Sequence, residues 1–387
     1  MENFIFQNNT KIIFGKNSEN TVGKEIKLYG KKVLFHYGQG SIKKTGLYER
    51  IVKSLQDEGI DFIELGGVQP NPVVSLVRKG IQLCKENNVD SILAVGGGSV
   101  IDSAKAISIG AYYDGDVWDF FENKAKPVSA LPIGVVLTIP ASGSESSTVT
   151  VITNEDGLIK KGFHSDVFLP KFAILNPELS LTLPLFQIAC GVSDILSHTF
   201  ERYFTQTRNV DLTDRLCEGL IKTVIENARL IIKNKPDYNN MAEIMWAGTL
   251  AHNGILGTGR EEDWATHKFG HELSALYGIT HGATLSVMFP AWMKYVYQYN
   301  VARFAQFATR VFNIDDFYDD NEVLVLRGIK ELEKFYKELG LPVRLSELDI
   351  PFDRIEEMAE KITKNGPVGN FIKIYKEDAI KIYNLAK

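Results

Sequence analysis

Ser91-Ile-Leu-Ala-Val95-Gly96-Gly97-Gly98-Ser99-Val100-Ile101-Asp102 is the stretch on which the fold of this chain turns. An apolar run ends in three glycines and passes into a helical pattern. It therefore reads as a buried strand that turns directly into a helix, with side-chain-free backbone at the helix N-terminus. The same alternation surrounds it. Lys32–Tyr37 reads as a strand, Gly46–Asp57 as an amphipathic helix, Asp61–Leu65 as a strand, Val73–Asn87 as a helix and Pro132–Leu137 as a further strand. Strands alternating with helices at this length predict a parallel, Rossmann-like sheet with right-handed crossovers. Ahead of it, Asn3–Phe6 and Lys11–Phe14, separated by Gln-Asn-Asn-Thr, predict a small hairpin.

From about Leu181 the strand signals fade. Thr213–Lys233, Met241–His252 and Val325–Glu338 read as long amphipathic helices. Proline favours the first turn of a helix, so Thr182-Leu-Pro184 marks the expected boundary. The fold class is thus an α/β N-terminal domain, residues 1–181, followed by an all-α C-terminal domain, residues 182–387.

A chain of 387 residues can build two cores. With 44% hydrophobic and 24% charged residues and a net charge of -5, it has no basic footprint for nucleic acid or an anionic membrane. Cys84, Cys190 and Cys217 are far apart and form no Cys-x-x-Cys, which argues against a disulfide framework or a thiolate metal site. The start, Met1-Glu-Asn-Phe-Ile-Phe-Gln, lacks a basic segment followed by an apolar one, and no stretch approaches eighteen apolar residues. A cytoplasmic protein is expected.

The glycine run is a candidate pyrophosphate site. Ser99 and Asp102 have capping-box spacing, with Asp in place of Glu. The run is not the Gly-x-Gly-x-x-Gly fingerprint, because position 101 is Ile, and no Gly-Lys-Ser/Thr follows. Its bland alternative is a tight strand-to-helix turn. A second loop, Gly38-Gln-Gly40-Ser41-Ile-Lys43-Lys44, follows the first strand at the same end of the sheet. Ligands of open parallel sheets bind beyond those ends. No acid lies between Gly38 and Lys44, while Ser41, Lys43 and Lys44 offer a hydroxyl and positive charge. That suits a 2'-phosphate and favours NADP(H), with NAD(H) admitted; the alternative is a solvated helix start.

The helical half carries a second constellation. Asp194 and His198 leave one face of the run Ile188–Glu201, and His267 and His271 repeat that spacing in Trp264–Glu272. His281 precedes Gly282. Apolar flanks, Ala275-Leu-Tyr and Ala283–Phe289, predict burial, and buried imidazoles and carboxylates need partners. An isolated Asp-x-x-x-His is more often a solvated hydrogen-bonded pair. The convergence of two such pairs with His281 instead offers an oxygen ligand plus three imidazoles, the set of a borderline divalent metal with an open position.

Gly96–Asp102, Thr138–Ser146, Leu183-Pro with Cys190–His198, and His267–Ala275 through His281-Gly together resemble the iron-containing alcohol dehydrogenases, in particular the butanol dehydrogenase and NADPH-dependent aldehyde reductase branch. The resemblance covers nearly the whole chain. It implies a dehydroquinate synthase-like architecture, with a dinucleotide-binding first domain and an all-helical, metal-binding second one. It implies that Asp194, His198, His267 and His281 hold one divalent metal, Fe2+ or Zn2+, and that His271 stands beside the nicotinamide and substrate. One helical turn from a ligand, His271 is the candidate acid or relay; the alternative is a hydrogen-bond partner of a ligand or of the substrate. The resemblance further implies Gly97, Gly98, Ser99 and Asp102 in the pyrophosphate loop, Asn71, Thr138, Ser142 and Ser147 along the cofactor, and Lys160 near the nicotinamide. Asn176, where the family usually has Asp, and Ser142 and Ser147, where relatives often have Thr and Asn, depart from the pattern. The expected activity is interconversion of short aldehydes and alcohols such as butanal and butanol, by a homodimer. A cyclising lyase of the dehydroquinate synthase type is the alternative, but its anionic substrate calls for several basic residues near the metal, and Trp264–Leu276 supplies only Lys268. An unrelated metal hydrolase leaves the glycine loops unexplained, and a non-catalytic nucleotide-binding protein needs no metal set.

Overall fold

In the computed structural model, which describes residues 1–315, 320–351 and 353–387, the apolar run Ser91–Gly96 is buried at every position. It can be, because both of its edges are paired in parallel and its backbone groups are thereby satisfied. This strand, β4, lies within a parallel sheet of order β1-β8-β5-β4-β2-β3. Its partners are β1 (Lys11–Phe14), β2 (Lys32–Gly38), β3 (Asp61–Val68), β5 (Ile133–Leu137) and β8 (Phe172–Leu175). Between strands run α1 (Leu47–Asp57), α2 (Val74–Asn87) and α3 (Gly98–Gly110). Ile51 and Leu55 of α1 enter one core cluster with Phe35, Leu93, Val136 and Ile174 of the sheet.

One strand expectation needs correction. Residues 1–10 contain no strand, so the N-terminal hairpin does not form; Lys11–Phe14 pairs instead in parallel with β8. The Thr10 hydroxyl donates to Pro170 O (2.8 Å) and the Lys11 N–H to Lys171 O (3.1 Å), which fastens the chain to the segment entering β8. A buried neighbour thus outcompetes a local hairpin, which is marginal alone. The antiparallel pair β6 (Val149–Asn154) and β7 (Ile159–His164) was not anticipated. Part of its signal is present: the β-branched run Val149–Thr153 leads into Asn-Glu-Asp-Gly, with Gly157 at φ 78°.

Residues Asn8–Leu183 form one compact unit; Pro184–Lys387 form the other, together with Met1–Gln7. The second unit comprises α4 (Leu185–Tyr203), α5 (Asp211–Asn234), α6 (Tyr238–His252), α7 (Ala265–Tyr277), α8 (His281–Val296), α9 (Val301–Phe312), α10 (Asn321–Glu338), α11 (Ile355–Thr363) and α12 (Lys376–Leu385). Buried faces of α4 and α8 meet closely. A Cβ on Gly282 would lie 2.0 Å from Cys190 O, and the Ser193 hydroxyl donates to Gly282 O (2.7 Å). Only glycine lets the start of α8 approach the α4 backbone in this way. Among the described residues no helix is long and apolar enough to cross a membrane.

Candidate functional site

The approach of α8 to α4 brings His281, the first residue of α8, toward the Asp194–His198 face. Ligand atoms of Asp194, His267 and His281 all lie within 4.8 Å of one another. His198 adjoins this set of three: its Nε2 is 3.4 Å from Asp194 Oδ1, and its ring centroid is 4.6 Å from that of His267. His281 Nε2 lies 4.0 Å from the same carboxylate oxygen. His271, one turn after His267, has its ring centroid 5.1 Å from that of His281 and 6.5 Å from that of His267. Three of the expected ligands thus meet, with His198 beside Asp194 and His267, and a fourth histidine, His271, borders them.

Electrostatics favour a cation here. Asp194, His198 and His267 are buried. Burial, with the neighbouring His267 and Arg202, holds His198 well below the usual imidazole range, so its ring is neutral and can ligate. Cys190 is no competitor, because burial pushes its thiol up to about 12. One carboxylate with imidazoles and no thiolate fits a borderline divalent ion such as Fe2+ or Zn2+.

Three neighbours had no role at the metal in the sequence reading. Glu201 Oε1 accepts the backbone N–H of His267 (3.0 Å) and lies 2.7 Å from its Nδ1, while Oε2 accepts the Trp264 N–H (2.7 Å). Burial pushes the Glu201 carboxyl up to about 8, against the pull of those backbone donors. A cation held by Nε2 would make Nδ1 a donor and would favour the ionised carboxylate, the usual support of a metal-bound histidine. Glu201 lies three residues after His198 on the same face of α4, so helical spacing could have found it. Trp264 takes φ 66°, unusual for a bulky residue, as it opens α7. Its ring packs on those of His198 (5.6 Å), His252 (5.7 Å) and His267 (5.0 Å). His252, at the end of α6, stacks on His198 at 4.1 Å; no sequence period links it to the others.

In the α/β unit the glycines are required by close approach. A Cβ on Gly98 would lie 2.3 Å from Ser142 Oγ, and one on Gly97 would lie 3.1 Å from Ile139 Cβ. Ser142 therefore sits against the N-terminus of α3, where backbone N–H groups and the helix dipole suit a phosphate. The expected capping box does not form. The helix starts at Gly98, which makes Ser99 its second residue rather than its cap, and Asp102 instead accepts the Ser144 hydroxyl (2.6 Å) and the Val151 N–H (3.1 Å). Asp102 thus ties the serine loop to α3. Lys105, fully buried, does the same: its ammonium donates to Ser144 O (2.7 Å), Ser147 O (2.9 Å) and Val149 O (2.8 Å), and also contacts the Ser147 hydroxyl (3.2 Å). Burial pulls Lys105 down to about 8, against the pull of Asp102 and Glu145.

Asn71, at φ 57°, accepts from the Lys160 ammonium (2.8 Å), so two residues expected along the cofactor meet. Thr138 follows β5, its N–H bonded to Gly96 O (3.0 Å) beside the glycine run. Gly38 ends β2, and Ser41–Lys44 forms a short helical turn. Here the sequence expectation is incomplete. Glu64 of β3 lies 3.5 Å from Lys43 Nζ, so an acid does stand beside this loop, contributed by another strand. Asn176, the departure from the family pattern, donates from Nδ2 to the buried Glu19 (2.8 Å); a second carboxylate there would repel it.

Residues 9–177 match the iron-containing alcohol dehydrogenase family, and residues 187–386 match the C-terminal part of the Fe-containing alcohol dehydrogenase family. The chain is 44% identical to the probable NADH-dependent butanol dehydrogenase 1 of Bacillus subtilis over 99% of both sequences. It is 37% identical to the NADPH-dependent aldehyde reductase YqhD of Escherichia coli, over 95% of this chain and 94% of that one. The crystal structure of the NADH-dependent butanol dehydrogenase A of Thermotoga maritima superposes with a TM-score of 0.96 at 41% identity, covering 100% of this chain and 99% of the other. On motifs, fold and full-length similarity, this chain belongs to the iron-containing alcohol dehydrogenase family.

Proposed function

We propose that this protein interconverts short-chain aldehydes and primary alcohols, butanal and butanol among them, with NAD(P)H and one divalent metal held by Asp194, His198, His267 and His281. The observation that carries this reading is the gathering of one carboxylate and three imidazoles on α4, α7 and α8, all buried except the half-buried His281. When bound, the metal supplies a Lewis acid for a carbonyl oxygen and the reduced nicotinamide supplies hydride. The protein's own residues prepare for this. Burial keeps His198 neutral, Glu201 orients His267, and Trp264 walls three of the rings. His271, beside His281, is assigned to deliver a proton from a ring nitrogen to the product oxygen, a task suited to an imidazole near neutral pH. In the other unit, Gly97, Gly98, Ser99 and Ser142 offer a pyrophosphate cradle at the start of α3, which Asp102, Lys105 and Ser147 brace. Thr138, Asn71 and Lys160 extend it toward the nicotinamide, and Gly38, Ser41 and Lys43 toward the adenosine.

The cyclising-lyase alternative is not favoured, since the similar proteins are named as dehydrogenases and a reductase. Lys43 and Lys44 favour a 2'-phosphate, whereas Glu64 offsets Lys43, so use of both NADPH and NADH is expected. Three free, buried cysteines suit the reducing cytoplasm, and the exposed run Phe4-Ile5-Phe6 supports a homodimer. Elemental analysis of the purified protein, joined to a panel of aldehydes assayed with NADPH and NADH, tests the proposal. Bound iron or zinc and loss of nicotinamide absorbance on adding butanal are expected; a metal-free preparation that oxidises neither cofactor with any aldehyde sinks it.

A further inference from the structure

We infer that Glu64 sets the balance between NADH and NADPH by holding Lys43 away from the 2'-position of the nucleotide. This rests on the dinucleotide reading of the Gly38–Lys44 loop and deepens it. Four side chains from β2, β3, α1 and the loop build the arrangement. The Tyr37 hydroxyl donates to Glu64 Oε2 (2.7 Å), and the Tyr48 hydroxyl donates to Oε1. Both carboxylate oxygens are thereby fixed. Tyr37 can reach Glu64 because Gly66 leaves room: a Cβ there would lie 2.6 Å from the Tyr37 ring.

Onto this fixed carboxylate folds the one flexible member. Lys43 Nζ lies 3.5 Å from Glu64 Oε2, 4.5 Å from the Tyr48 ring centroid and 5.2 Å from that of Tyr37. A lysine so placed is already neutralised, and its ammonium also interacts with two ring faces. The side chains are only partly covered, with 48% of Lys43 and 35% of Glu64 exposed. Exposed pairs of this kind are weak, so an incoming phosphate can compete for the lysine but must overcome the pair to do so. The carboxylate acts in opposite senses on the two cofactors. It repels a 2'-phosphate, and it can accept a hydrogen bond from a 2'-hydroxyl. Glu64 is thus a positioning residue that acts on the nucleotide largely through Lys43.

Glu64→Gln keeps an acceptor for the tyrosines, removes the charge and releases Lys43. Kinetic efficiency, kcat/KM, is measured with butanal for both cofactors, alongside fluorescence titration of each in the wild type, E64Q, K43M and the double variant. In E64Q the NADPH-to-NADH efficiency ratio is expected to rise about fivefold, through KM rather than kcat. K43M is expected to lower the ratio and to shrink the effect of E64Q, the non-additivity of a coupled pair. An unchanged ratio in a folded E64Q, or an E64Q effect that persists in full without Lys43, overturns the inference while leaving the dehydrogenase reading intact. A wild type that binds neither nucleotide overturns both.

Discussion

His36, wholly buried on β2, reports directly on the α/β core. Its Nδ1 lies 2.8 Å from Leu65 O and its Nε2 2.9 Å from Ser103 Oγ, a pairing that a neutral ring satisfies by donating at one nitrogen and accepting at the other. Burial lowers it to about 4, against the pull of the Leu65 carbonyl. Between that value and the unfolded value near 6.5 the unfolded chain holds the extra proton, so stability rises with pH there and is lost on acidification. The full loss is about 3 kcal/mol. Urea denaturation across pH 4 to 6.5 should show this slope, and His36→Gln should flatten it; equal slopes would exclude His36 as its source. Glu201 yields a second expectation. Glu201→Ala removes the partner of His267 Nδ1 and should weaken metal affinity by about 10- to 100-fold, as read by competition with a chelator. Unaltered affinity would leave Glu201 as a packing residue. Asp194, His198, His267 and His271 were legible because helical spacing of four residues puts each pair on one face. Glu64 and His252 were not, because no sequence period connects them to the groups they meet.

Close approaches between secondary-structure elements give the next expectation. Gly282 lets α8 rest on the backbone of α4, where a Cβ would stand 2.0 Å from Cys190 O. Gly282→Ala must push α8 outward and carry His281 with it. It should cost about 1–3 kcal/mol and lower metal occupancy, measured by thermal unfolding and elemental analysis. Full occupancy in that variant would show that the position of His281 does not depend on this contact. The strand-helix alternation of Lys32–Asp102 was readable because each segment's own pattern agrees with its place in the sheet. Lys11–Phe14 was misread because its partner lies about 160 residues away, and local turn residues such as Asn8 carry no record of it.

The two compact units divide the chemistry. All proposed metal ligands lie in Pro184–Lys387, and the residues proposed to cradle the nucleotide lie in Asn8–Leu183. The sequence places a change in periodicity near Leu181, whereas the compact units divide at Pro184 and the first seven residues group with the helices. Loss of the metal should therefore leave nucleotide binding in place. The most direct measurement is metal content, NADPH binding and butanal-dependent NADPH oxidation in His267→Ala beside the wild type. The account expects no bound metal, turnover reduced to background and retained NADPH binding in the variant. Wild-type turnover by a metal-free protein would contradict it.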